Sequence, residues 1–249
     1  MDMKPQSLAL AGVTGGAGTT RLTAELGATL ARAGRDVALV DAAYATQGLS
    51  RFVGGALETD ITDVVSGEAT VQEALSDLPL DLSGRLAVAP AHATFEQLAR
   101  AKSAAAAERL ADTIGDLTRG FDVVIADTPP LAANQAVAAA TAADAVALVA
   151  PATQRGLDAV PTIPGRLQDV GATDDHLIAN RADGSLFASE TDLAVPVCED
   201  QEVETPTCAT ATTGTFAPAV AAVTEGIFDT NLGLDFEEPG FLKKYTRSR

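Results

Sequence analysis

The chain has no tryptophan, and only four of its 249 residues are lysine: Lys4, Lys102, Lys243 and Lys244. Its 34 acidic residues against 17 basic ones leave a formal net charge of -17 at pH 7. That balance argues against wide nucleic-acid contact, which needs clustered lysine and arginine. No such cluster occurs before the last residues, so no nucleic-acid partner is expected. An acidic surface stays hydrated and dispersed in concentrated salt, and the composition reads as halophile-type. Histidine and cysteine are equally sparse. His92, His176, Cys198 and Cys208 are too scattered for a tetrahedral zinc set, so the cysteines are expected as free thiols. No apolar run is long enough to cross a bilayer. The opening MDMKPQS lacks the apolar core of a signal peptide, which makes the cytoplasm the expected location.

Hydrophobic residues make up 47% of the chain, enough for one sizeable core. Short apolar runs, candidate strands, occur at 7–13, 36–41, 85–89, 122–127, 145–150, 176–180 and 193–197. Several are nearly continuous in Val, Leu, Ile and Ala, as in strands covered on both faces. Between them, 20–33, 70–76, 102–119, 132–142 and 157–170 have a helical pattern, and 217–228 follows the last strand. Such alternation predicts an α/β fold: a doubly wound, mainly parallel sheet of seven or eight strands with helices on both faces. Residues 1–228 form one expected domain and 229–249 a tail. The acidic, Thr-rich stretch 199–215 has few large apolar groups and reads as a surface loop.

The first strand runs into VTGGAGTT at 13–20. Gly15, Gly16 and Gly18, with Ala17 between them, leave backbone N–H groups able to close around phosphate oxygens. The helix that follows points its positive dipole end at the same place. This is the layout of a P-loop, but Thr19 stands where the pattern has lysine. Thr20 stands where a hydroxyl ligates Mg2+. Asp41 and Asp127 end the second and fourth long strands. Carboxylates there manage metal and water in nucleotide hydrolases.

Together, VTGGAGTT, VALVDAA, DITDVVSGEATVQEAL, FDVVIADTPP, AADAVALVAP, LIANRADG and VPVCED give a chain that resembles the MinD/ParA family of P-loop proteins, in the SIMIBI class, over roughly residues 7–228. The resemblance implies ATP or ADP with Mg2+ as cofactors. It implies a cradle of Gly15, Gly16, Ala17, Gly18, Thr19 and Thr20, with metal at Thr20, Asp41 and Asp127. It places Asn180 and Arg181, with Pro196 and Cys198 in the turn after the last strand, on the adenine side. It also implies an unidentified protein partner and a homodimer. The ending FLKKYTRSR resembles the short helix that brings MinD proteins to membranes, a weak peripheral contact on its own.

Three positions depart from the family. Thr19 replaces the main P-loop lysine, and Thr14 replaces the lysine that crosses to the partner's nucleotide. Ala43 replaces an aspartate that helps activate water. Losing one partner of a buried charge pair costs roughly 2–5 kcal/mol, between ten- and several-thousand-fold in affinity at about 1.4 kcal/mol per decade. Hydrolysis should suffer more, since its catalysis is largely electrostatic. Three readings stay open. One is a nucleotide-binding switch with impaired or absent ATPase activity. The second is an interaction scaffold that has lost nucleotide. The third is an ATPase in which Arg21 or Arg51 replaces the lysine and Gln47 orients water.

Overall fold

The computed structural model describes residues 4–183, 186–187, 189–191, 193–199 and 204–237. Its sheet is built from β1 (Ser7–Gly12), β2 (Val37–Asp41), β3 (Ser76–Asp77), β4 (Leu86–Ala89), β5 (Val123–Thr128), β6 (Ala145–Pro151), β7 (His176–Asn180) and β8 (Ala194–Val195). The order across the sheet is β3-β4-β2-β5-β1-β6-β7-β8. Every pairing is parallel except β3 with β4. This is the expected doubly wound sheet, with eight strands.

Alternation along the strands divides the core in two. Ala9 and Ala11, Ala38 and Val40, and Val124 and Ala126 face one side. Leu8 and Leu10, Val37 and Leu39, and Val123 and Ile125 face the other. The first side is covered by α2 (Ile61–Ser66), α3 (Val71–Ala74), α5 (Ala104–Leu117) and α6 (Asn134–Ala142), with α4 (Phe95–Ala101) packed against α2. On the second side lie α1 (Thr19–Arg32) and α9 (Phe216–Phe228), whose Leu22, Leu26, Leu30, Val220, Val223 and Ile227 share one apolar cluster. Both faces are therefore closed to water, as parallel strands require.

Three stretches differ from the expected pattern. The helix anticipated at 157–170 is broken into α7 (Gln154–Ala159), a 3-10 turn (Val160–Thr162) and α8 (Ile163–Asp169). Pro161 and Pro164 each remove a backbone donor and so interrupt the i to i-4 ladder. The loop anticipated at 199–215 contains a 3-10 turn, Thr207–Ala209, with Cys208 only 2% exposed. It is drawn inward by Glu25 of α1, whose carboxylate accepts the N–H of Thr207 at 3.0 Å and of Cys208 at 2.8 Å. Residues 229–237, assigned to the tail, lie back on the domain. Leu232 and Phe236 pack on the α1/α9 cluster, and the Arg32 guanidinium sits 5.3 Å from the Phe236 ring centre. The basic ending at 241–249 lies outside the described residues.

Candidate functional site

The carboxyl ends of β1, β2 and β5 carry the site. Between β1 and α1 the chain turns through Gly16 (φ 76°) and Gly18 (φ 90°), left-handed conformations that side chains rarely adopt. Gly18 is the N-cap of α1 and makes no side-chain cap, and no acidic residue occupies the first helical turn. The helix dipole and the first N–H groups of α1 are thus left for an anion. A Cβ on Gly15 or Gly16 would meet nothing within 4 Å, so both border open space. That space is a cavity of about 370 Å3 between the glycine loop, the segment after β2 and the segment after β5.

Two successive loop carbonyls are held by two successive residues at the β7 end, of which Arg181 also borders the cavity. Asn180 Nδ2 donates to the Ala17 carbonyl at 2.8 Å, and Arg181 Nη1 donates to the Gly16 carbonyl at 3.2 Å. Asn180 Oδ1 accepts the Arg181 N–H at 2.9 Å, so both ends of the amide are engaged. A Cβ on Gly18 would fall 2.3 Å from Asn180 Nδ2, and only glycine permits this approach.

The metal-side residues converge. Asp41 and Asp127 are register partners on β2 and β5, and neither is exposed. Thr20 Oγ1 donates to Asp127 Oδ2 at 2.6 Å, while Asp127 Oδ1 is buried without a partner. Asp41 accepts from the Ala43 N–H at 3.0 Å and the Leu49 N–H at 3.2 Å. Burial pushes its carboxyl up to about 6 against these hydrogen bonds. Asp127 is raised well above the ordinary carboxylate range, first by burial and then by the neighbouring Asp41 charge, with the Thr20 hydroxyl opposing. A buried carboxylate oxygen with no donor, beside a hydroxyl and an open cavity, fits a hard cation. Mg2+ is commonly held by one or two carboxylates, with phosphate and water oxygens completing its shell. Among the described residues there is no separate cluster of three or more His, Cys, Asp or Glu that would hold a metal.

The arginines anticipated as replacements divide. Arg21 borders the cavity, but its guanidinium is engaged by other side chains. It pairs with Glu25, and its Nη2 donates to Thr207 Oγ1 at 2.8 Å and approaches Cys198 Sγ at 3.2 Å. Arg51, in the 3-10 turn Gly48–Phe52, is exposed and borders the cavity. Gln47 is turned away, its Nε2 donating to the Ala93 carbonyl at 2.9 Å. Cys198 and Pro196 are half-buried just after β8 and do not line the cavity; Cys198 Sγ lies beside Arg21. Cys198 and Cys208 are both free thiols.

Two cavity residues were not anticipated from the sequence. The Tyr44 hydroxyl and Gln135 Oε1 are buried and have no hydrogen-bond partner. Burial, then the charges of Asp41 and Asp60, keep the Tyr44 phenol protonated. The available signals were an aromatic three residues after Asp41 and the adjacent amides Asn134 and Gln135 in the apolar stretch LAANQAVAAA.

A glycine loop on a helix N-terminus, a hydroxyl on a strand-end carboxylate and a doubly wound sheet define a protein of P-loop NTPase type. A family model described as AAA domain matches residues 6–178, and the chain belongs to that family as a MinD/ParA-like P-loop protein. It is 35% identical to the septum site-determining protein MinD of Synechocystis over 175 residues, 67% of this chain and 61% of that one. Its fold is similar to that of the Pyrococcus furiosus cell division ATPase MinD (TM-score 0.77, 22% identity, 89% of this chain and 98% of that one). It is also similar to Pyrococcus horikoshii MinD complexed with Mg-ADP (TM-score 0.75, 20% identity, 89% and 95%). Among the described residues, no helix is long and apolar enough to cross a membrane.

Proposed function

We propose that this protein binds Mg-ATP or Mg-ADP in the glycine-loop cavity, hydrolyses it slowly or not at all, and serves as a positioning or regulatory switch that answers to a protein partner or a second copy of itself. One observation carries the reading. The loop's concave side opens on a cavity of about 370 Å3, bordered by the Thr20–Asp127 pair and its unpartnered carboxylate oxygen. A scaffold that had abandoned its ligand would be expected to fill that hollow with side chains. The Mg-ADP bound by the P. horikoshii relative supports the same choice of ligand.

In this reading the N–H groups at the start of α1 hold the polyphosphate, and the Thr20 hydroxyl and Asp127 hold Mg2+, which would neutralise phosphate charge. Asn180 keeps the Ala17 carbonyl turned out of the cradle. Water activation is the weak point: residue 43 is a buried alanine, and Gln47 is engaged elsewhere. Titration calorimetry with Mg-ATP in molar KCl tests the reading. Binding between micromolar and millimolar, with turnover far below one per minute, is the expected result. No heat at millimolar nucleotide would remove it.

A further inference from the structure

We propose that Arg181 supplies the polyphosphate cradle with its positive charge, delivered from the end of β7 in place of a lysine inside the loop. The inference rests on the nucleotide reading above and assigns the cation that the reading lacks. The cavity wall reverses the charge of the whole molecule. In a chain with twice as many acidic as basic residues, this hollow is bordered by Arg51 and Arg181, by Arg21 already paired with Glu25, and by a single carboxylate, Asp127. An excess of guanidinium in one concave place points to an anionic ligand.

Of the three arginines, Arg181 lies against the loop itself. Nη1 is 3.2 Å from the Gly16 carbonyl, and Nη2 is 3.6 Å from where a Gly18 Cβ would stand. The backbone that brings it there is unusual. Arg181 has φ 59°, a left-handed conformation uncommon outside glycine. Asn180 Oδ1 holds its N–H, and the Ala182 N–H donates to the Val195 carbonyl at 2.9 Å, so the turn is fixed on both sides. One guanidinium donor is used on Gly16. The side chain is otherwise exposed, and its remaining donors suit the fork geometry of phosphate oxygens. Arg21 is spent on Glu25 and Thr207, and Arg51 comes from the opposite wall without touching the loop carbonyls.

The test uses the full chain, Mg-ATP and Mg-tripolyphosphate, and the variants Arg181→Gln, Arg181→Ala and Arg181→Lys. Because the side chain is exposed, the variants should melt within a few degrees of the parent. Arg181→Gln keeps a donor for Gly16 but removes the charge. Arg181→Gln and Arg181→Ala should bind both probes about 10- to 100-fold more weakly, with a shallower dependence on salt. Arg181→Lys should recover most of the loss. Parent-like binding of both probes by Arg181→Gln would reduce Arg181 to a peg for the loop and overturn the proposal. So would loss of Mg-ATP with tripolyphosphate unchanged, which would place Arg181 on the base. If the parent binds neither probe, the nucleotide reading falls in that arm alone and takes this inference with it.

Discussion

Asp127 sits where its surroundings disfavour the charge that metal binding would need. It is fully buried, one oxygen has no partner, and the adjacent Asp41 raises it further above the ordinary range. Without a cation the pair is therefore a liability to the fold. Asp127→Asn removes the ionisable group while Thr20 can rotate its hydroxyl to accept from the new amide. In EDTA this variant should be more stable than the parent by about 0.5–2 kcal/mol, the usual size of a single stabilising change that costs function. It should also lose Mg2+-dependent nucleotide binding. Melting with and without Mg-ADP checks both halves. Asp41 gives a pH effect with a defined sign. Its folded value near 6 lies above the ordinary 3.8, so the folded chain keeps a proton that the unfolded chain releases between about pH 4 and 6. Stability from this group falls as pH rises through that window and is level above it, by roughly 3 kcal/mol at about 1.4 kcal/mol per pH unit. A carbon-detected titration of the Asp41 carboxyl should show a midpoint near 6 without Mg2+; a midpoint near 4 would refute it. The two thiols separate by burial. Burial first, then Glu25, pushes the Cys208 thiol upward, whereas Cys198 is half-buried beside the Arg21 guanidinium. A thiol reagent should modify Cys198 first and reach Cys208 only as the protein opens.

At the scale of elements, α1 does more than present its N-terminus. Glu25, with no exposed surface, ties α1 to the 3-10 turn Thr207–Ala209 through two N–H donors and to Arg21 one turn earlier. Glu25→Ala would leave the buried Cys208 N–H and the half-buried Thr207 N–H unpaired, a cost of roughly 2–4 kcal/mol at about 1–3 kcal/mol for a buried group. Hydrogen exchange at Thr207 and Cys208 should accelerate well beyond that in the β1 and β5 strands; equal acceleration everywhere would mean that Glu25 supports only global stability. None of this was legible in the sequence, because it joins residues more than 180 positions apart within a stretch that reads as polar. The long central strands were legible, since β1, β2, β5 and β6 are apolar on both faces and parallel pairing demands that pattern. Two-residue β3 has no pattern to read. The short helices α2 and α4 did carry a sign: Asp60 with Asp63, and Thr94 with Gln97, form capping boxes. The site divides the same way. Glycines and strand-end carboxylates are local and announced the cradle, whereas the Arg181 contact depends on a left-handed turn that places β7 against a loop 165 residues earlier.

For the whole molecule, the same charge that surrounds the site acts on stability and on binding in opposite directions. A net charge of -17 repels itself, and this repulsion is least screened in dilute salt. Raising salt from about 0.1 M to 1 M shortens the screening length from about 10 Å to about 3 Å, so the melting temperature should climb steadily with KCl. Buried contacts such as Glu25 with the Thr207 and Cys208 amides are shielded from the salt and should not offset this rise. The cavity, where Arg51 and Arg181 outnumber the one carboxylate and Arg21 is paired with Glu25, has the opposite sign, and its attraction for a polyphosphate should weaken over the same range. Main-chain N–H groups carry only partial charges at close contact and should keep most of their hold, while the exposed guanidinium of Arg181 should lose much of its contribution. In paired titrations at 0.2 M and 2 M KCl, the parent should therefore bind Mg-ATP more weakly at high salt although its fold is firmer. The gap between parent and Arg181→Gln should shrink as salt rises. A melting temperature insensitive to KCl would refute the self-repulsion argument, and a gap that stays constant would show that Arg181 does not act by charge.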